Sequence, residues 1–448
     1  MHIIGIETQG LGTNNQMRGV VMQGAKSRRK GEKVPVSREA LLKAVDGTLL
    51  HPKNFENSAA FEKAVQASID AYLKENKVPD FVVLPLDHAK SKEENKDVDL
   101  LSKAVKDAFA ARGHQVKTMV LASNLYDYQN VDLIHVGKHL LSAEDEETLK
   151  TNPSLKSRVV ETLGVPSNIS WTSIRNLAHQ PAAEKVLKKY QSFKKVLDGK
   201  LLYGQDVVLQ EKKGNKNVLF SLGGMTDNGA IGFDVKDAEK LFSCAEALTN
   251  MGYNVIFTNS PRTPSDVTDY LFEKCNEFNN KRENLREKAP AFYQKYKNYS
   301  MEFFNSKKIA RNEEEAQNFR NYNGKYKKEF EAQASSVGNI YPAVLDVCEF
   351  VVNTHDSFSY TSDAAALGIP SVVYTGNFID QSRRPDCYKL FDLCQKGGYA
   401  ISLDEALVRI ERGESLKTKK MDDVSTQLVK AMAKSLGNTR ENSNTAGR

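Results

Sequence analysis

The chain has 448 residues, 40% apolar and 27% charged, with 63 Lys and Arg against 57 Asp and Glu for a net charge of +6. That length exceeds what a single core usually serves and points to two domains of about 200 residues each, and the composition excludes wholesale disorder. No apolar run approaches the roughly 18 residues that span a bilayer, and the small, diffuse charge excludes a nucleic-acid footprint.

Five cysteines (Cys244, Cys275, Cys348, Cys387 and Cys394) are scattered without metal-ligand spacing, so they read as reduced thiols of a cytoplasmic protein with no metal site. The N-terminus begins at once with HIIGIE (2–7), a first strand with no basic flank or cleavage site. A helix over 59–77, strand DFVVLP (80–85), a helix over 97–113 and strands at 116–122 and 131–137 continue the rhythm of a parallel sheet. Residues 1–205 therefore read as one doubly wound, Rossmann-like domain, closed by a helical pattern over 174–197.

The rhythm restarts at VLFSLGG (218–224). In the helix 234–252, residues Val235, Ala238, Leu241, Phe242, Ala245 and Leu248 share one face, and Gly252 ends it. Strand YNVIFTN (253–259) follows. The stretch 273–335, rich in Lys, Glu, Asn and Tyr, reads as a solvated helical hairpin inserted into the domain, or as an arm for a protein partner or a membrane surface. Helix 340–348, strand 350–354, loop HDSFSY (355–360), helix 361–368 and strand 370–376 complete a second Rossmann-like domain, 214–402. Helices within 403–436 should pack back on the first domain, and 437–448 reads as a disordered tail.

Three loops lie at carboxyl ends of strands, where open parallel sheets hold ligands. The first carries Gly10 and Gly12, which let backbone approach a ligand, and the amides of Asn15 and Gln16 before a helix. The second, SLGGMTDNG (221–229), offers the N–H groups of Gly223 and Gly224 to an anionic oxygen. The third, THDSFSYTSDAAALGIP (354–370), carries Asp356 and crowds the hydroxyls of Ser357, Ser359, Thr361 and Ser362 about the start of a helix whose N-terminus favours phosphate, with Asp363 one turn in as a partner for ribose hydroxyls. NSPRTP (259–264) adds Arg262, a fork that suits phosphate.

SLGG (221–224), SPRTP (260–264), NIYPAVLDVC (339–348) and THDSFSYTSDAAALGIP (354–370) resemble, in order and spacing, the mitochondrial-fission "elongated mitochondria" family of plants and many bacteria. The resemblance implies two facing Rossmann-like domains of the glycosyltransferase B type, a cleft between them and C-terminal helices that cross back to the first. Members usually carry glutamate where this chain has Asp363, and 273–335 is longer than the usual connection. The expected function is transfer of a sugar from a nucleotide donor, without metal or other cofactor, to a glycan, lipid or protein acceptor held by the first domain. Glu7, at the first strand's end, and His88, just past another strand, are candidate general bases; His135 and His139 read as ordinary histidines within or just after a strand. The rival readings are a non-catalytic scaffold on the same fold at a membrane surface, and a nucleotide-sugar epimerase.

Overall fold

The computed structural model describes residues 1–8, 11–26, 41–85, 92–167, 169, 216–226, 228–290, 293, 299–337 and 341–445. The helical pattern expected over 174–197 lies outside the described residues. The chain divides into two compact units, Met1–Asn168 with Asp422–Arg448, and Ile169–Met421.

The first unit runs β1 (Ile3–Ile6), α1 (Leu11–Lys26), β2 (Leu41–Leu42), α2 (Ser58–Glu75), β3 (Phe81–Pro85), α3 (Lys92–Ala110), β4 (Lys117–Ala122), β5 (Leu133–Gly137), α4 (Ala143–Thr151), α5 (Pro153–Arg158) and β6 (Val159–Thr162). Its six strands lie in the order β2-β1-β3-β4-β5-β6, all parallel. The near-continuous apolar runs of β3 and β4 follow from helices covering both faces of such a sheet. In α2, Asn57 caps the start by accepting from Ala60 N at 2.9 Å, and Phe61, Val65, Ile69 and Tyr72 bury one stripe at helical spacing. The strand order reverses between β1 and β3.

The second unit runs β7 (Lys216–Ser221), α6 (Val235–Asn250), β8 (Tyr253–Thr258), α7 (Ser265–Lys288), β9 (Met301–Phe304), α8 (Glu313–Gln317), α9 (Lys327–Val337), α10 (Tyr341–Leu345), β10 (Phe350–Thr354), α11 (Phe358–Leu367), β11 (Ser371–Tyr374), α12 (Pro385–Gly397), β12 (Ala400–Ser402) and α13 (Leu403–Glu411). Its strands are again all parallel, in the order β9-β8-β7-β10-β11-β12. Counting from β7 this is 3-2-1-4-5-6, the doubly wound dinucleotide-binding order, with its switch point between β7 and β10. In α6, Asp234 caps the first turn, the predicted face is buried at Ala238, Leu241, Phe242, Ala245 and Leu248, and the turn at Gly252 has a positive φ of 97°. A cap of this kind contributes about 1 kcal/mol.

Three differences from the sequence reading stand out. The stretch 273–335 is mostly helical, yet it also supplies β9, which pairs with β8 and completes the six-stranded order. Met301 and Phe303 join the core of this unit, so a segment that reads as solvated is anchored by its aromatic and apolar residues. Of the two C-terminal helices, α13 stays with the second unit, burying Ala406 and Ile410 in the same core, and only α14 (Val424–Thr445) belongs to the first. There Val424, Leu428, Val429 and Met432 pack with Met17, Val20 and Val21 of α1. Finally, α14 continues to Thr445, through most of the segment expected as a disordered tail; once packed turns nucleate a helix, each further residue adds a backbone bond at little cost. No helix among the described residues is long and apolar enough to cross a membrane.

Candidate functional site

The two loops that flank the switch point of the second unit are joined by a web of hydrogen bonds. Gly223 N donates to Thr354 Oγ1 at 2.6 Å and Gly224 N to Asp356 Oδ2 at 3.2 Å. A β-carbon at Gly223 would overlap the Asp356 carboxylate, and one at Gly224 the backbone carbonyl of Arg262. Glycine is therefore required here for close approach, and the N–H groups expected to cradle a ligand are engaged within the protein.

The segment after β8 closes the same web. Met225 N donates to Arg262 O at 3.0 Å, Arg262 N donates to Ser260 Oγ at 3.2 Å, and Ser260 Oγ and Thr263 Oγ1 both donate to Gly223 O. Arg262 Nη2 lies 2.7 Å from Asp356 Oδ2, with the aspartate side chain wholly buried and 28% of the arginine side chain exposed. Lys307, buried, donates from Nζ to Thr263 O at 2.7 Å and Phe319 O at 2.8 Å, and burial lowers its amine to about 8. His355 is buried with its ring against Phe378 and Tyr388, and burial lowers its pKa.

Helix α11 begins at Phe358, three residues before the predicted start. The two aromatics Phe358 and Tyr360 that read as loop residues are in its first turn. Thr361 N already donates to Ser357 O, so Thr361, Ser362 and Asp363 sit beyond the N-terminal turn and are buried. Ser357 is the N-cap residue, yet its side chain makes no capping bond. The first-turn N–H groups, among them those of Ser359 and Tyr360, have no carbonyl one turn earlier in the helix to meet. Asp363 Oδ2 accepts from Tyr341 OH at 3.2 Å, and the Tyr341 ring packs on Tyr360 at 4.7 Å. Arg384, absent from the sequence reading, places its guanidinium 5.7 Å from the centre of the Phe358 ring and is held by Asp386 at 2.8 Å. An Arg-Arg-Pro start to α12 was the one sequence signal for it.

In the first unit, Gly12, Asn15 and Gln16 lie within α1, whose start at Leu11 converts the expected loop amides into helical residues. The neighbouring Asn14 explains that start: its side chain accepts from Thr8 N at 3.0 Å and donates to Thr8 O at 2.8 Å, tying the end of β1 to the helix. Glu7 is paired with Lys43 at 3.1 Å. Gly10 and His88 lie outside the described residues. His135 is buried within β5 beside Thr162 Oγ1 at 2.8 Å, and His139 is buried just after it. The described residues hold no group of three or more His, Cys, Asp or Glu arranged for a metal.

No protein-family model matches the sequence and no curated protein matches it, so the family resemblance rests on the motifs alone. Solved structures similar to the chain include a UDP-GlcNAc 2-epimerase of Methanocaldococcus jannaschii in complex with UDP-GlcNAc and UDP (11% identity, 85% of this chain and 82% of that one, TM-score 0.31). UGT2 of Phytolacca americana, complexed with UDP-2fluoro-glucose and pterostilbene, is 10% identical over 97% of this chain and 93% of its own, with a TM-score of 0.38. Os79 of O. sativa, in complex with UDP, is 11% identical over 99% and 92%, with a TM-score of 0.36.

Proposed function

We propose that the carboxyl edge of the second sheet binds the diphosphate of a nucleotide sugar, and that the protein transfers the sugar to a glycan, lipid or protein acceptor. One observation supports this above the rest: the glycine loop after β7 and the turn after β10, on either side of the switch point, are bound together through Arg262 and Asp356 beside the first turn of α11. A doubly wound sheet binds ligands at this point, and a helix N-terminus favours an anionic oxygen.

In this reading the first-turn N–H groups of α11 hold a phosphate oxygen, and Arg262 and Arg384 face the charge that develops on the departing diphosphate. Asp363, oriented by Tyr341, is the ribose contact. The first unit holds the acceptor, with Glu7 as base candidate among the described residues. Kinship with the mitochondrial-fission family and a cytoplasmic location belong to the same proposal.

The test is thermal melting against UDP-, GDP-, CMP- and ADP-linked sugars, with an Arg262→Gln, Arg384→Gln double variant as control. A donor at about 100 times its Kd should stabilise the native protein by roughly 2.7 kcal/mol. A shift in the wild type that the variant lacks supports the site; no shift with any donor rejects it. Conversion of a bound donor without acceptor would replace transfer with epimerisation or hydrolysis.

A further inference from the structure

We infer that Asp356 is a positioning residue whose buried carboxylate fixes the Arg262 guanidinium against the glycine loop, and so sets the face this cation presents to a diphosphate. The inference rests on the site proposed above and assigns a role to a group that is itself no phosphate ligand.

A carboxylate inside an anion site is unfavourable on charge alone, since it repels the ligand and offsets the positive charge that Arg262 offers. Geometry supplies the reason for its presence. A single oxygen, Oδ2, accepts both from Gly224 N at 3.2 Å and from Arg262 Nη2 at 2.7 Å. Oδ1 is buried and receives no hydrogen bond among the described residues, so the attachment runs through Oδ2. The carboxylate occupies the volume that a Gly223 side chain would fill. Both backbones that carry the pair are tied down: His355 N donates to Tyr374 O and Ser357 N to Thr354 O on one side, while Arg262 N and O bond to Ser260 Oγ and Met225 N on the other. A charge-assisted bond between two such fixed points removes rotamers that a long arginine otherwise explores.

Charge and positioning predict opposite signs, which makes the inference testable with UDP, GDP, CDP and ADP as probes in isothermal titration of the full chain. Asp356→Asn keeps the shape and one oxygen but removes the charge. Positioning predicts that the best-bound probe weakens by roughly tenfold, the size of one lost charge-assisted contact. In an Arg262→Gln background the same change should not weaken binding further. Tighter binding by Asp356→Asn, or equal weakening in both backgrounds, overturns the inference while leaving the site intact. Arg262→Lys is the second variant, for the case in which Asp356→Asn does not fold: it keeps the charge and loses the fork, so positioning predicts a weakening of the same order, and undiminished affinity overturns it. If the wild type binds none of the four diphosphates, the inference and the site fall together.

Discussion

The α-carbon of Gly224 lies against the backbone carbonyl of Arg262 so closely that a β-carbon would overlap both its carbon and its oxygen. The obstacle is backbone, held by the bond from Met225 N to Arg262 O, so it cannot swing aside as a side-chain tip would. Gly224→Ala should therefore destabilise the second unit by about 1–3 kcal/mol, the usual range for overpacking a tight site. Urea unfolding would show this as a lower midpoint at an unchanged slope. An unaltered midpoint would mean that the loop yields, and the clasp between the two loops would then be loose.

His135 makes stability depend on acid. It is buried in the middle of β5, and burial lowers its pKa from 6.5 to about 3. Below pH 6.5 the unfolded chain takes up a proton that the folded chain refuses, so stability is lost as pH falls toward 3. At about pH 5 the loss is roughly 1.5 pH units of linkage, or about 2 kcal/mol. Measured against His135→Gln, which cannot titrate, the wild-type advantage should shrink by that amount between about pH 7.5 and about pH 5. A difference that stays flat would show that the imidazole is protonated in the fold.

What the sequence revealed and what it concealed divide along contact range. The unit β10-α11-β11 was legible because FVVNT and SVVY are short apolar runs that flank a glycine-terminated helix, all local features. The start of α11 was misplaced because hydroxyl-rich turns and Phe358 look like loop, while the first turn is set by backbone bonds such as Thr361 N to Ser357 O. The Arg262–Asp356 pair spans 94 residues, and no local pattern announces it. β9 has four residues amid lysines, glutamates and tyrosines, so only its partner β8 identifies it as strand. Lys307 was missed with it, since a lysine in a charge-rich stretch normally faces water.

Tyr341 and Asp363 form a buried contact beneath α11, with the phenol donating to the carboxylate at 3.2 Å. Tyr341→Phe keeps the ring that packs on Tyr360 and removes only the donor. Leaving a buried acceptor with one partner fewer should cost about 1–3 kcal/mol. Thermal melting of the variant would measure it. If Asp363 also contacts ribose, affinity for a nucleotide sugar should fall together with stability, whereas an affinity loss in Asp363→Asn alone would separate the two roles.

Lys307 should give a pH signature of the same sign as His135, in the alkaline range. Its ammonium is buried under the Arg262–Thr263 segment, and burial lowers its pKa from 10.5 to about 8, with Asp266 opposing the shift. Below pH 8 both folded and unfolded chains carry the proton, and the fold bears the full cost of the buried charge. Between 8 and 10.5 the folded chain releases the proton while the unfolded chain keeps it, so stability rises with pH across that window. The full span of about 2.5 units corresponds to about 3 kcal/mol. Comparison with Lys307→Met, which fills the same space without a charge, isolates this group from every other titration. The wild-type stability relative to the variant should climb from about pH 7 to about pH 10. A relative decline over that range would mean that the bonds to Thr263 O and Phe319 O hold the charged amine more strongly than burial penalises it, and the clasp on Arg262 would then weaken in alkali.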